Sequence, residues 1–193
     1  FVGAVGSSYI ALEELIKKKV NISAVFTLDD KYIHNVSTYK SLGPLTSKED
    51  IPLYKIRNIN DKDNIELITE LNHDVIFVIG WSQLIKKELS DIPRYGCIGF
   101  HPSLLPKNRG RGVIPWQIIN GEKNTGVTLF YIDEGIDTGD IIGQRRVPIC
   151  SNDTSTTLYT KLMKELRTLI RENIDDILNG TVNRIKQNEN LAT

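Results

Sequence analysis

Five consecutive apolar residues, Val75-Ile76-Phe77-Val78-Ile79, follow Asp74 and stop at Gly80. A run of that length without polar alternation suits a strand covered on both faces, the situation of a parallel strand inside an α/β sheet. The chain around it alternates strand and helix patterns. Residues 1–5 read as the end of a buried strand, and Gly6-Ser7-Ser8 leads into a helix carrying Ile10, Leu12, Leu15 and Ile16. A strand over 20–28, a polar loop over 29–44, a helical turn over 46–50, a strand over 52–56 and a helix over 61–71 come next. After Gly80 a helix is expected through Leu84, Ile85 and Leu89, and then a strand over 96–100 that ends at His101. Strands over 125–132 and 140–149 flank an acidic loop. Asp153 is expected to cap a long helix whose inward stripe is Leu158, Leu162, Leu166, Leu169, Ile170, Ile174 and Ile177.

This order predicts a doubly wound, mostly parallel, Rossmann-like α/β sheet with a long C-terminal helix. Residues 1–180 are expected to form one domain, with a polar tail over 181–193, both ends of the chain being read as trimmed. In such sheets ligands bind beyond the carboxyl ends of the strands. That rule selects Gly3 to Ser8, Gly80-Trp81 and the loop that begins at His101.

Charge and composition narrow the function classes. Lys plus Arg and Asp plus Glu each number 24, so no global field draws in nucleic acid or an acidic membrane surface. Neither a membrane-length apolar run nor a leader-like start is present, and a cytoplasmic protein is expected. Cys97 and Cys150 lack a C-x-x-C spacing and read as small buried hydrophobes. The Asn-x-Ser/Thr triplets at Asn35 and Asn179 read as chance occurrences. Nothing has the spacing of a metal site.

His101 opens a segment, His101-Pro102-Ser103-Leu104-Leu105-Pro106-Lys107-Asn108-Arg109-Gly110, in which two prolines and a glycine restrict the backbone. Such restriction holds an imidazole against a substrate, although a strand-end histidine is equally satisfied by backbone alone. Asp137 lies in the loop Asp133-Glu134-Gly135-Ile136-Asp137-Thr138-Gly139, which is also the composition of a solvated turn. Together the two make a carboxylate–imidazole pair in which Asp137 orients His101, and this requires them to be close in space.

The segment from His101 to Gly110, followed by Thr125-Gly126-Val127-Thr128 and Ile136-Asp137-Thr138-Gly139-Asp140, resembles the folate-dependent formyltransferases over nearly the whole chain. Trp116, Gly121, Asp133-Glu134-Gly135 and Gln144 look most like the sugar N-formyltransferase branch. The resemblance implies transfer of a formyl group from 10-formyltetrahydrofolate to the amine of a nucleotide-linked amino sugar, without a metal; the sequence leaves a homodimer open. It makes His101 and Asp137 the catalytic pair. It puts the pterin of the cosubstrate in a slot lined by Trp81, Gln83 and Leu84 and by the backbone of Asp133, Glu134 and Gly135 through Asp137.

For the acceptor's phosphates, the candidates are Gly6, Ser7, Ser8 and Tyr9 at the start of the first helix, with Ser103, Lys107, Asn108 and Arg109. One departure stands out. The family's oxyanion-stabilising asparagine, two residues before the histidine, is Gly99 here, and Asn108 is the nearest substitute donor in sequence. Other formyl acceptors of the methionyl-tRNA or glycinamide ribonucleotide type, a hydrolase releasing formate from the same cosubstrate, and a binding module without turnover are the alternatives.

Overall fold

The computed structural model describes residues 1–193 apart from the side chain of Asn35, so the triplet at Asn35 lies outside the described residues. Two compact units, Phe1–Ile98 and Gly99–Thr193, make up the chain.

In the first unit β1 (Val25–Leu28) and β2 (Leu53–Ile56) run parallel, with Val25 opposite Leu53 and Leu28 opposite Ile56. The strand expected over 1–5 contracts to single bridges, Val2 lying parallel to Phe26 on one side and to Val78 of β3 (Ile76–Val78) on the other. Gly3 lies too close to its neighbours for a side chain, since a Cβ would lie 2.5 Å from both the Ile79 carbonyl and Ser8 Oγ. Helix α1 (Gly6–Lys17) follows and buries Leu12 against Val25 and Leu42.

Helix α2 (Gly43–Lys48) starts earlier than the turn expected over 46–50, with Pro44 in its first turn, where a missing amide is harmless. Helix α3 (Lys62–Glu70) matches expectation within a residue or so at each end. Helix α4 (Lys87–Ser90) does not, since no helix forms at Leu84 and Ile85. Asn60 explains the loss by competing for the backbone. Its Nδ2 donates to the Leu84 carbonyl (2.9 Å) and its Oδ1 accepts from the Lys86 amide (3.0 Å).

Strand β4 (Cys97–His101) begins in the first unit and ends in the second. There α5 (Val113–Ile119) precedes an antiparallel pair, β5 (Asn124–Tyr131) and β6 (Ile141–Pro148), so the parallel pairing of the first unit gives way to a hairpin in the second. The register runs from Asn124 opposite Pro148 to Leu129 opposite Gly143, then shifts so that Phe130 faces Ile141. Helix α6 (Ser155–Asn179) packs on both strands, and every residue of the expected stripe is buried. Gly180, at φ 68°, ends it in the left-handed conformation that glycine adopts without a Cβ penalty.

The cap of α6 is Thr154 rather than Asp153, with Thr154 Oγ1 accepting from the Thr157 amide (3.3 Å). Asp153 stands one residue earlier and gathers Lys161 Nζ (2.6 Å), the Cys150 amide (2.7 Å) and Thr157 Oγ1 (2.9 Å). The Lys161 hydrogen bond is the main reason that its carboxyl falls from 3.8 to about 2. A folded-state value below the unfolded one stabilises the fold above about pH 4, and that contribution is lost as pH falls toward 2. Asp153→Asn should therefore lower Tm near neutral pH and flatten the decline of Tm between about pH 4 and 2. An unchanged Tm–pH curve would show that the network contributes nothing.

Cys97 is buried, and burial pushes its thiol up to about 12, as a structural thiol requires. Cys150 is exposed, against expectation, with Lys161 Nζ 3.5 Å from its sulfur. Among the described residues no helix is long and apolar enough to cross a membrane.

Candidate active site

His101, the last residue of β4, is only 4% exposed. The loop after it is held by side chains that the sequence reading noted without a structural task. Thr128 Oγ1 donates to the Ser103 carbonyl (2.7 Å) and accepts from the Leu105 amide (3.2 Å). Gln144 Nε2 donates to the Leu105 carbonyl (2.8 Å) and to Thr128 Oγ1 (2.9 Å). Ser103 Oγ donates to the Lys107 carbonyl (2.6 Å) and closes the turn from within. Gly126 has a steric reason, since a Cβ there would sit 2.4 Å from Leu104 Cδ2 and 2.3 Å from the Arg145 carbonyl. The Leu104-Leu105 and Thr125-to-Thr128 segments thus pack against each other.

The loop brings Asn108, at φ 55°, under the imidazole, and His101 Nε2 lies 2.5 Å from the Asn108 carbonyl oxygen. A carbonyl only accepts, so Nε2 carries the hydrogen. On the other side Nδ1 lies 3.4 Å from Asp137 Oδ2, which also accepts from the Gly110 amide (2.8 Å). That separation is longer than an ordinary hydrogen bond. The sequence expectation that an imidazole and a carboxylate 36 residues apart converge is met within a single unit. Asp137 also has φ 55°, and two left-handed non-glycine residues beside one histidine are held there by their surroundings.

The acidic loop is shaped by close approach. At Gly139 a Cβ would lie 1.7 Å from the Tyr131 carbonyl, and at Gly135 it would lie 1.9 Å from Thr138 Oγ1. Asp133 Oδ1 accepts from the Gly135 amide (3.1 Å) and from Thr138 Oγ1 (2.6 Å), so its carboxylate shapes the turn. Glu134 is exposed.

Gly99, where the resemblance implies an asparagine, has little room for a side chain. A Cβ there would meet Phe130 Cζ at 2.8 Å, Phe130 Cε1 at 2.9 Å and Ile132 Cγ1 at 3.2 Å, so Phe130 occupies the volume that a longer side chain at 99 needs. Asn108, the expected substitute donor, gives one amide hydrogen to Glu122 Oε1 (3.1 Å).

Several expected ligand contacts have internal partners instead. Ser8 Oγ accepts from the Ala4 and Val5 amides (3.0 Å each) and donates to the Ile79 carbonyl (2.5 Å), so it fastens α1 rather than offering a free hydroxyl to a phosphate. The Gly6 amide donates to the Thr38 carbonyl (3.1 Å). Ser7 is buried, and Lys40 Nζ stands 5.0 Å over the ring of Tyr9. Arg109 pairs with Glu189 (2.7 and 2.8 Å) and with Gln187 Oε1 (2.8 Å). The Glu189 hydrogen bond raises the Arg109 guanidinium further, and Arg109 holds the Glu189 carboxyl below its usual range. Lys107 closes the turn with its backbone, its amide donating to the Leu104 carbonyl (3.1 Å) and its carbonyl accepting from Ser103 Oγ (2.6 Å).

In the first unit Gln83 is a tether: its Oε1 accepts from the Ile59 amide (3.1 Å) and its Nε2 donates to the Arg57 carbonyl (2.6 Å). Leu84 is 68% exposed. Trp81 Nε1 is buried, with no hydrogen-bond partner among the described residues. Among the described residues no cluster of His, Cys, Asp and Glu is arranged to hold a metal ion.

Residues 8–174 match the formyl transferase family. The chain belongs to that family. Within the formyl transferases, the methionyl-tRNA formyltransferase of Clostridioides difficile is 39% identical over 193 residues, covering 97% of this chain and 62% of the relative. That of Agathobacter rectalis is 36% identical over 195 residues, covering 100% of this chain and 63% of the relative. The chain therefore spans less than two thirds of the length of these curated relatives. A solved N-formyltransferase from Helicobacter canadensis, in complex with folinic acid and dTDP-3-aminofucose, is 28% identical with a TM-score of 0.78, covering 100% of this chain and 68% of that one.

Proposed function

We propose that this chain carries the catalytic centre of an enzyme that moves a formyl group from 10-formyltetrahydrofolate to a primary amine. The convergence of His101 and Asp137, with the Gly110 amide on the same carboxylate oxygen, is the observation that supports the reading. A formyl-folate, when bound, supplies the carbonyl carbon that is transferred. The amine nitrogen bonds to the formyl carbon while His101 Nε2–H hydrogen-bonds to the oxygen that gains charge, on the side where the Asn108 carbonyl lies at 2.5 Å; the bond from that carbon to the folate nitrogen then breaks, and the proton shed by the amine goes to the departing nitrogen, releasing tetrahydrofolate. Asp137, 3.4 Å from Nδ1, sets a negative charge beside the ring, where it offsets the positive charge that the attacking amine gains.

The donor's flat ring is proposed to contact Trp81, Gln83 and Leu84 of the first unit. The orphaned Trp81 Nε1 suits that task, because a buried donor of this kind is otherwise costly. Lys107 is proposed for the acceptor, with the second amide hydrogen of Asn108 replacing the donor that the resemblance places at 99.

As acceptor we favour the aminoacyl amine of methionyl-tRNA over the amino sugar that the sequence motifs suggested. The relatives of that name share 36–39% identity, against 28% for the enzyme crystallised with an amino sugar nucleotide. The zero net charge of these 193 residues does not weigh against an RNA acceptor, because the relatives continue well beyond the matched part. The amino sugar remains the second reading, favoured by the Helicobacter canadensis complex. Tetrahydrofolate release, followed spectroscopically with charged tRNA, with nucleotide-linked amino sugars and with no acceptor, separates the readings. Release with tRNA alone is expected; release without acceptor would indicate a hydrolase, and no release in any arm would end the proposal.

A further inference from the structure

We propose that Gln187 is a positioning residue for formyl transfer, holding Asp137 against His101 from outside the segment that matches the family; the inference rests on the reading of that pair as the reaction centre. The matched segment ends at residue 174, and the last stretch of the chain had looked like a polar tail. In the structure it is a strap. Arg184 lies over the ring of Tyr131 at 3.7 Å, and Ile185 exchanges backbone hydrogen bonds with Ile141 (2.7 and 2.9 Å). Thr193 Oγ1 accepts from the Asn108 amide and its carbonyl accepts from the Arg109 amide, both at 2.9 Å.

Gln187 sits at the centre of this strap and uses both ends of its amide. Nε2 donates to the Asp137 carbonyl (2.8 Å) and to the Gly139 carbonyl (2.7 Å), while Oε1 accepts from Arg109 Nη2 (2.8 Å) and Nε (3.3 Å). The two loops flanking the imidazole are therefore tied by one side chain. One carries Asp137, in its left-handed conformation; the other carries Arg109, next to the carbonyl that receives the Nε2 hydrogen. A primary amide is the group that suits this place, since it combines two donors with one acceptor. A carboxylate would keep the Arg109 contact and lose both carbonyl bonds.

The test uses the intact protein with Gln187→Glu and Gln187→Ala. In the glutamate variant Arg109 still docks the strap, so Tm should stay near wild type while kcat falls roughly 10²-fold, the scale of an ångström-sized misplacement, with KM for the formyl donor little changed. In an Asp137→Asn background the same change should cost almost nothing further, because Gln187 acts through that residue. Equal losses in both backgrounds would overturn the inference and leave a general structural role. A second measurement does not need turnover: the ring nitrogens of His101, observed by NMR, should move in Gln187→Glu toward their positions in Asp137→Asn. Wild-type shifts there would overturn the inference even if the protein transfers no formyl group, whereas absent transfer with the shift present would count against the proposed function alone.

Discussion

His101→Ala is expected to reduce formyl transfer by about 10²- to 10⁴-fold, the range for removing a positioned proton donor from a transition state. The same substitution leaves the Asn108 carbonyl without its partner, which is worth about 1–3 kcal/mol of stability when the group is buried. His101→Gln separates the two effects. Its side-chain amide still offers a hydrogen toward Asn108 but cannot take up and release a proton near neutrality. It should therefore recover much of the lost Tm and little of the lost rate, measured as tetrahydrofolate release under saturating donor. A His101→Gln variant that transfers at the wild-type rate would remove the imidazole from the chemistry.

Gly99→Asn addresses the departure from the family directly. Nothing about the backbone requires glycine at 99, as its φ is not among the positive ones; the requirement comes from the Phe130 ring 2.8 Å from a Cβ at that position. The asparagine alone should destabilise the fold by about 1–3 kcal/mol through overpacking and gain no activity. Phe130→Leu makes room at a modest loss of packing, and in that background Gly99→Asn should be better tolerated. If the amide then reaches the oxyanion, transfer should exceed that of Phe130→Leu alone by up to about 10²-fold. Additive melting shifts in the four proteins would show that Gly99 and Phe130 are not coupled, and the steric account of the departure would fall.

The sequence disclosed the parts of this fold that repeat a physical period. The stripe of α6 is visible because seven residues recur at helical spacing, and all seven are buried. The hairpin strands are visible because alternating apolar residues bracket an acidic, glycine-containing turn. His101 and Asp137 could be chosen because both stand in restricted loops at strand ends.

What escaped is carried by single side chains acting on distant backbone. Asn60 unmakes a helix at Leu84 and Ile85, although the local pattern there is helical. Gln144 and Thr128 shape the His101 loop, and Gln187 shapes the Asp137 loop, yet an isolated glutamine or threonine has no period to reveal it. Ser8 was read as a ligand contact because a serine at a helix start often is one; its neighbours in space, Gly3 and Gly80, show that the backbone closes around it.

The register shift in the hairpin sets a length. Leu129 faces Gly143 and Phe130 faces Ile141, so Ile142 is the extra residue on its strand. The acidic loop lies on the turn side of that residue, and each residue of strand advances the chain by about 3.4 Å. Losing Ile142 would draw Asp137 along by a step comparable to the whole gap it keeps from the imidazole. The backbone of one hydrophobic residue in the hairpin thus sets how far the loop that carries Asp137 reaches.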